Sequence, residues 1–358
     1  VLDDYSPLRA VTATSLANPI LYPVRDAWWY IPRRPFGNDG KASQGDAFFL
    51  APNPPFGAVF TYSLPEALET TAEQRREQER EIAEGGGDTP VPSWEALREE
   101  AREAEPRAVL TVRDEEGAVV RRLEGEVGEG FHRVAWDLRG PAPDAVGSGP
   151  EWPGAEPRKG PLVAPGRFTV ELALERSGES EPVGEPEPFM VRRLRKGVLE
   201  GSDPATTAAF AHHTAEVRRR VSAAAATLDR ALEQISALET ALDRTPGAGR
   251  ELSDGTRALE NRLRDLAELL RGDPRRRRVG EPAPPSITGR LRAAETGIRH
   301  STYGPTPNLE RSLEIAEEDL EDLESALRTA VEMDLERLQR EAAAAGAPWS
   351  PGRGLPGE

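Results

Sequence analysis

Cysteine is absent from this chain of 358 residues. A chain without cysteine has no disulfide framework, no thiolate-ligated zinc or iron–sulfur centre and no cysteine nucleophile. Histidine is almost as scarce, with 4 residues in the whole sequence. Little material is therefore left for metal binding or for acid–base chemistry near neutral pH. From the sequence we expect neither a bound metal nor a cofactor.

Long apolar runs and an excess of positive charge are also missing. No stretch approaches the roughly 18 consecutive apolar residues of a membrane-spanning helix, so we expect no membrane insertion. The formal net charge is −16, and an acidic chain repels the phosphates of nucleic acids and of anionic lipids. We therefore expect no nucleic-acid partner.

The composition changes sharply near residue 200. Before this point, proline and glycine separate short runs of β-branched and aromatic residues, a pattern typical of strands and turns. After it, Ala, Leu, Glu and Arg recur with helical spacing. The change indicates a domain boundary. The fold class that we predict is α+β multidomain, with an antiparallel Ig-like β-sandwich that has a helical insertion, followed by an antiparallel helical bundle.

Four segments are predicted along the chain. Residues 1–55 form an extended aromatic and proline-rich arm, and residues 56–198 form the β-sandwich. A charged stretch at about 66–105 is the helical insertion of the sandwich, because it combines Glu, Gln and Arg with very little apolar area. Residues 199–345 form a bundle of about four helices, each with one apolar stripe. Residues 346–358 form a disordered tail.

The aromatic cluster Trp28, Trp29 and Tyr30 is the first functional candidate. One hypothesis is a stacking platform for a sugar or a base. The other is that an extended arm buries these rings against a neighbouring domain, because aromatic side chains dominate packing energies and no polar cluster adjoins them. We favour the second interpretation and treat the three residues as interface candidates.

Asp137 is a weak catalytic candidate, at the end of a predicted strand that contains Trp136. The functional interpretation is a glycosidase-like acid. A glycosidase needs two carboxylates at a defined separation, and the pattern supplies no second one. A lone carboxylate at a strand end is more often a turn cap, so no catalytic residue is assigned.

The other polar groups have simpler interpretations. The adjacent His212 and His213 point about 100° apart on a helix and do not form a chelating pair, so we expect surface histidines. Arg275 to Arg278 follow a proline in a predicted loop and could contact phosphate or an acidic protein, although pairing with the chain's own acidic helices is favoured. The carboxylates of 317–322 are expected on the solvated face of the last long helix.

Several motifs resemble one known family. They include Leu21–Pro23, Ala58–Tyr62, Leu110–Asp114, Gly130–Arg139 (GFHRVAWDLR) and Gly160–Gly166 (GPLVAPG). These segments resemble the C-terminal region of bacterial β-propeller proteins with BNR or sortilin-like repeats, which are often labelled glycosyl hydrolases.

Further parts of the chain fit the same resemblance. The stretch from Phe131 to Leu174 is also similar to the Ig-like module of flagellar hook-capping proteins. The resemblance implies that Val1 to Arg9 are the last propeller strand and its exit. It also implies that any glycosidase activity belongs to the propeller, because the family's Ser-x-Asp-x-Gly-x-Thr-Trp box does not occur in these residues.

The expected function follows from this resemblance and from the lack of an assembled catalytic motif. We expect a non-catalytic accessory or scaffold region that packs on its own upstream propeller and presents it. The alternatives are a carbohydrate-active hydrolase and a module that binds another protein. The resemblance favours export to a periplasmic or extracellular location.

Overall fold

In the computed structural model of the chain, the residues described are 5–12, 16–32, 53–147, 158–195 and 200–355. The fold is mixed α+β, with antiparallel sheets and several helices. The chain divides into two compact units. The first, here called the β unit, comprises Val1–Pro141 and Leu162–Leu199, and the second, called the helical unit, comprises Ala142–Pro161 and Glu200–Glu358.

The β unit contains short strands and two helices after a 3-10 turn at Ser6–Ala10. In chain order they are β1 (Ile20–Leu21), β2 (Ala27–Trp29), β3 (Ala58–Leu64), α1 (Thr71–Glu84), α2 (Trp94–Glu100), β4 (Arg107–Arg113), β5 (Val119–Gly125), β6 (Gly130–Trp136), β7 (Gly166–Arg176) and β8 (Glu179–Arg193).

These strands form two sheets. The smaller sheet has the order β1–β3–β6, and the larger has the order β2–β8–β7–β4–β5. Neighbouring strands are antiparallel except β2 and β8, which run parallel. The predicted arm therefore contributes one strand to each sheet. Of the predicted propeller strand and its exit, Val1 to Arg9, residues 1–4 lie outside the described part of the chain, and Ser6–Ala10 form a 3-10 helix.

Aromatic side chains from both sheets meet in one core. Phe60 of β3 packs edge-on against Phe189 of β8, with ring centroids 5.6 Å apart, and Trp136 of β6 meets Phe168 of β7 at 5.4 Å. All four rings are buried. In β6 the face that carries Trp136 points inward, because successive strand residues alternate between the two faces of a sheet.

Strands β7 and β8 form a long hairpin. Its two-residue turn is Ser177–Gly178, with φ values of 48° and 86°, which suit the right-handed twist of the flanking strands. Strand β8 contains Pro182, Pro186 and Pro188. The pairing continues through them because an irregularity between Val170 and Leu172 absorbs the residues around Gly184.

In its described residues the helical unit is built from helices, four of them of 13 residues or more. They are α3 (Pro204–Asp243), α4 (Arg250–Arg271), α5 (Pro274–Val279), α6 (Ile287–Arg299), α7 (Pro307–Thr329) and α8 (Glu336–Ala344), with a π-helical segment at Ala330–Leu335 that joins the last two. No helix among the described residues is long and apolar enough to cross a membrane.

Leucine and alanine fill the core of the helical unit. Leu228, Ile235, Leu263 and Leu320 come from three helices and are fully buried. Asp203 caps α3, with its carboxylate accepting a hydrogen bond from the Ala205 N–H and Pro204 at the first helical position. This arrangement suits proline, because the first N–H of a helix has no intrahelical partner.

Two local predictions for this unit differ from the structure. Arg275 to Arg278 form the short helix α5 rather than a loop, because the Asp273 carboxylate accepts from the Arg275 N–H and caps it. Residues 346–355 of the predicted disordered tail pack on the helices and bury Ala347. Residues 356–358 lie outside the described part.

Candidate functional site

The predicted aromatic cluster is divided by the alternation of strand β2. Trp29 is 4 % exposed, and its indole N–H donates to the carbonyl of Val163 at 2.7 Å. Trp28 and Tyr30 are 49 % and 38 % exposed. The Tyr30 ring also packs edge-on against Phe56. One of the three interface candidates is therefore a core residue, and the other two present rings at the surface.

An ion pair fixes strand β2 to β8 beside Trp28. The Asp26 carboxylate accepts from the Met190 backbone N–H and from the Arg192 guanidinium, 2.5 Å away. The hydrogen bond from Arg192 lowers the pKa of Asp26 below its usual value. Trp28 lies opposite Arg192 in the strand register, so the exposed ring sits beside a fixed charge pair.

Asp137 lies half-buried where β6 ends. The backbone is tightly constrained there, because Leu138 has a φ of 56° and a Cβ on Gly57 would lie 1.8 Å from the Trp136 carbonyl oxygen. Within the described part of the chain, the Asp137 carboxylate has no hydrogen-bond or ion-pair partner. The structure thus leaves this carboxylate available and does not assign it a catalytic partner.

Tyr62 is a partly buried titratable group of the β unit whose pKa is strongly shifted. Its hydroxyl donates to the Glu126 carbonyl, and burial raises its pKa to about 12. A Cβ on Gly125 would lie 2.3 Å from this hydroxyl, so only glycine leaves room for the phenol. At neutral pH Tyr62 is a neutral hydrogen-bond donor that ties β3 to the chain after β5.

The polar candidates of the helical unit take part in surface ion pairs. His213 contacts the Glu317 carboxylate at 3.1 Å. Arg220 contacts Glu317 at 3.3 Å and Glu324 at 2.9 Å. Carboxylates expected to be solvated on α7 are therefore bound in part by α3. Exposed pairs of this kind contribute little to stability individually.

A more buried charge network lies elsewhere in the helical unit. The Arg218 guanidinium forms two hydrogen bonds with Glu295, at 2.7 and 2.6 Å, and its side chain is almost fully buried. Glu295 also contacts Arg158 at 3.2 Å, and Arg158 contacts Asp144. The network joins α3 and α6 to Asp144 and Arg158, and every charge in it has an opposite partner. Such a group is typical of a structural clamp.

The insertion, defined here as α1, α2 and the residues between them, has a different construction. Neither helix buries a residue. Arg75 of α1 binds Glu100 through two hydrogen bonds of 2.7 and 2.9 Å, which lower the pKa of Glu100. Thr70 caps α1 through a reciprocal pair of bonds with Glu73. Polar contacts therefore hold these helices together.

Glu103 attaches the insertion to the β7–β8 turn. Its carboxylate accepts from the Thr71 backbone N–H at 2.8 Å and from the hydroxyls of Thr71 and Ser177 at 3.1 and 3.2 Å. An open cleft of about 530 Å³ lies at this junction, lined by residues that include Glu99, Glu100 and Gly178. Because Arg75 and the hydroxyls already satisfy Glu100 and Glu103, the cleft is a junction between elements rather than an assembled catalytic site.

The outer side of the insertion exposes large apolar groups. Trp94, the first residue of α2, is 80 % exposed, and Val91 just before it is 92 % exposed. Ser93 caps the helix by accepting from the Ala96 N–H at 3.1 Å, so the backbone that carries Trp94 is fixed. Trp94 is not among the candidates that the sequence pattern indicated. The available signal was a tryptophan in a short segment with too little apolar sequence to bury it.

Neither a metal-binding cluster nor a comparison with known proteins assigns a function to the chain. Among the described residues there is no group of three or more His, Cys, Asp or Glu side chains that could hold a metal ion. Comparisons with protein-family models, with curated proteins and with solved structures found no match. Function must therefore be inferred from the chain's own surfaces.

Proposed function

We propose that this chain is a non-catalytic accessory region of a larger, exported β-propeller protein of the BNR or sortilin-like kind. In this proposal the two-sheet core is an Ig-like β-sandwich, and the long helices form an antiparallel bundle. The region packs on the upstream propeller and presents it.

The observation that carries the proposal is the attachment of the arm. Ile20 and Leu21 pair with β3 of one sheet, and Ala27 to Trp29 pair with β8 of the other. The arm is therefore paired with both sheets within a span of ten residues. A segment that positions a neighbouring domain must itself be fixed, and this double attachment supplies such an anchor.

The exposed rings of the arm give the proposal a contact surface. Trp28 is half-exposed on the strand that anchors the arm, and Tyr30 follows it. Aromatic residues are enriched at protein interfaces, where they supply a large contact area at little cost in conformational entropy. We place the propeller contact at these two rings.

Hydroxyl-radical footprinting tests this function. The isolated 358-residue chain is compared with the longest natural form of the protein, and the oxidation of Trp28 and Tyr30 is measured in both. The proposal predicts that both rings are protected in the longer form, while Trp349, which is 54 % exposed, is oxidised equally. Equal oxidation of Trp28 in the two forms, or a natural protein without a propeller, would contradict it.

A carbohydrate hydrolase is the second candidate, because the Asp137 carboxylate is unpartnered beside the left-handed Leu138. Its test is turnover of a panel of aryl glycosides and polysaccharides by the chain and by its Asp137→Asn variant. Turnover that is lost in Asp137→Asn would favour the hydrolase over the accessory region. The absence of turnover in both proteins removes this candidate.

A further inference from the structure

The insertion places exposed apolar side chains next to acidic ones. Trp94 and Val91 present most of their surface to solvent, and Leu97, one helical turn after Trp94, is partly exposed. Residues three and four positions apart in a helix share one side, so Trp94 and Leu97 lie on the same side of α2, as does the exposed Arg98. Val91, which precedes the cap Ser93, together with Trp94 and Leu97 defines a surface that we call the Trp94 face.

The charge around this face is strongly negative. Residues 66–105 contain 13 acidic and 5 basic side chains, which accounts for half of the net charge of −16. Glu95 and Glu99 lie four residues apart on α2 and are exposed, and neither forms an ion pair with the described residues. Glu95 and Glu99 thus border the Trp94 face without an ion-pair partner among the described residues, and the exposed Arg98 lies between them in the sequence.

The helices have no other evident contribution to folding. They bury no residue of their own, and polar groups hold them together and against the β7–β8 turn. An element that does not add to a core but fixes a tryptophan in solvent has the features of a recognition surface, because large exposed apolar groups mark sites of interaction.

We propose that the Trp94 face binds a basic segment of another protein, with Trp94 packing on an apolar side chain of that segment and Glu95 and Glu99 pairing with its Arg or Lys residues. We choose a basic partner because a negative surface attracts a positive partner and repels a negative one. A second copy of the chain is disfavoured by its own charge of −16. This inference goes beyond the proposed accessory function and does not depend on a propeller.

The first experiment measures binding of a defined probe. The probe is a fluorescein-labelled synthetic peptide with four arginines and one leucine in a helical sequence, titrated with the full chain and followed by fluorescence anisotropy. We expect saturable binding that weakens as salt rises from about 50 to about 500 mM, because the Debye length shortens. Trp94→Ala should raise Kd by about tenfold or more, as for an interface anchor. Trp349→Ala, the matched change at another exposed tryptophan, should leave Kd unchanged.

The second experiment separates a local site from the overall charge. The double variant Glu95→Lys, Glu99→Lys reverses two charges beside Trp94. The variant Glu332→Lys, Glu336→Lys makes the same change in net charge at exposed positions of the helical unit. We expect the first variant to weaken binding by more than about tenfold and the second by less than about threefold, because screening limits the distant effect.

Three results would overturn the proposal. Equal affinity of Trp94→Ala and the unaltered chain would show that the tryptophan is not an anchor. Equal weakening by the two charge-reversal variants would show that only the net charge attracts the peptide. Sedimentation of the chain as a dimer that Trp94→Ala converts to a monomer would assign the face to a second copy.

Discussion

The helices of the insertion and those of the helical unit are built on opposite principles. In the helical unit, one stripe of each long helix is buried, as with Leu252, Leu259 and Leu263 of α4. In the insertion, α1 and α2 bury nothing, and ion pairs and caps hold them. Most helical stability in proteins comes from packing of an apolar face. The helices of the helical unit therefore form its core, whereas those of the insertion are attached to the β unit without adding to its core.

The largest expected effect is in the aromatic core that carries the insertion. Trp136→Ala removes a fully buried ring that packs on Phe168 and Phe189. We expect a loss of about 4 kcal/mol in the free energy of unfolding of the β unit, from lost burial and the remaining cavity. Urea unfolding followed by tryptophan fluorescence and circular dichroism measures it. Trp349→Ala serves as the control, and an equal loss in both variants would contradict the assignment of the core.

The next largest effect is within a single long helix. Leu263→Ala, at a fully buried position of α4, should lower the free energy of unfolding of the helical unit by about 3 kcal/mol. Leu269→Ala is the matched change on the same helix, where the side chain is 45 % exposed, and it should cost less than about 1 kcal/mol. Thermal unfolding monitored at 222 nm compares the two. Similar losses would mean that α4 does not bury the stripe described.

A smaller effect is expected from the buried charge network. Arg218→Met leaves Glu295 partly buried with one remaining partner, Arg158, and should cost about 2 kcal/mol. The double variant Arg218→Met, Glu295→Leu removes both charges and should recover part of this loss. Denaturant unfolding of the two variants and the unaltered chain tests the pair. A double variant that is less stable than the single one would show that the network contributes net stability.

Acid should open the insertion while the helical unit stays folded. Arg75 holds the pKa of Glu100 below its usual value, and Thr70 does the same for Glu73. A lowered folded-state pKa stabilises the fold above the unfolded-state pKa, and this contribution is lost as pH falls through the folded-state value. Burial raises the pKa of Glu239 in α3, so its contribution is present at low pH and is lost as pH rises.

Hydrogen exchange measures this difference directly. Amides of 71–104 should lose protection between about pH 4.5 and pH 3, relative to the intrinsic exchange rate, while those of α3 and α4 keep theirs. The variant Glu239→Gln should remove the opposite pH dependence in the helical unit without changing the insertion. Protection that fell equally in both regions would contradict the ion-pair account of the insertion.

Sequence patterns predict best the strands and helices whose apolar residues recur at one regular spacing. The strand that contains Phe168 and Val170 and the helix that begins at Asp203 follow from alternation and from a cap. The parallel pairing of Trp29 with Arg193 does not, because nothing near Trp29 specifies a partner far away in the chain. Long-range pairing depends on tertiary packing, which local propensity does not encode.

The candidate surfaces were predicted less completely than the fold. Alternation in a three-residue strand separates Trp28 from Trp29, and this could be anticipated only once residues 27–29 were known to be a strand. Trp94 was not predicted as a surface residue, although its segment has too little apolar sequence to bury a tryptophan. The role of Glu103 in attaching the insertion could not be predicted either, because its partner Ser177 lies in a turn that is distant in sequence.

Excision of the insertion tests the central claim, that this fold carries a recognition element without depending on it. The Thr71 N–H donates to the Glu103 carboxylate at 2.8 Å, so the ends of the segment 71–104 are close and a short Gly/Ser linker can join them. The account predicts a thermal midpoint within about 3 °C of the unaltered chain, with binding of the arginine peptide abolished. An unfolded β unit, or a variant that binds the peptide as tightly as before, would contradict it.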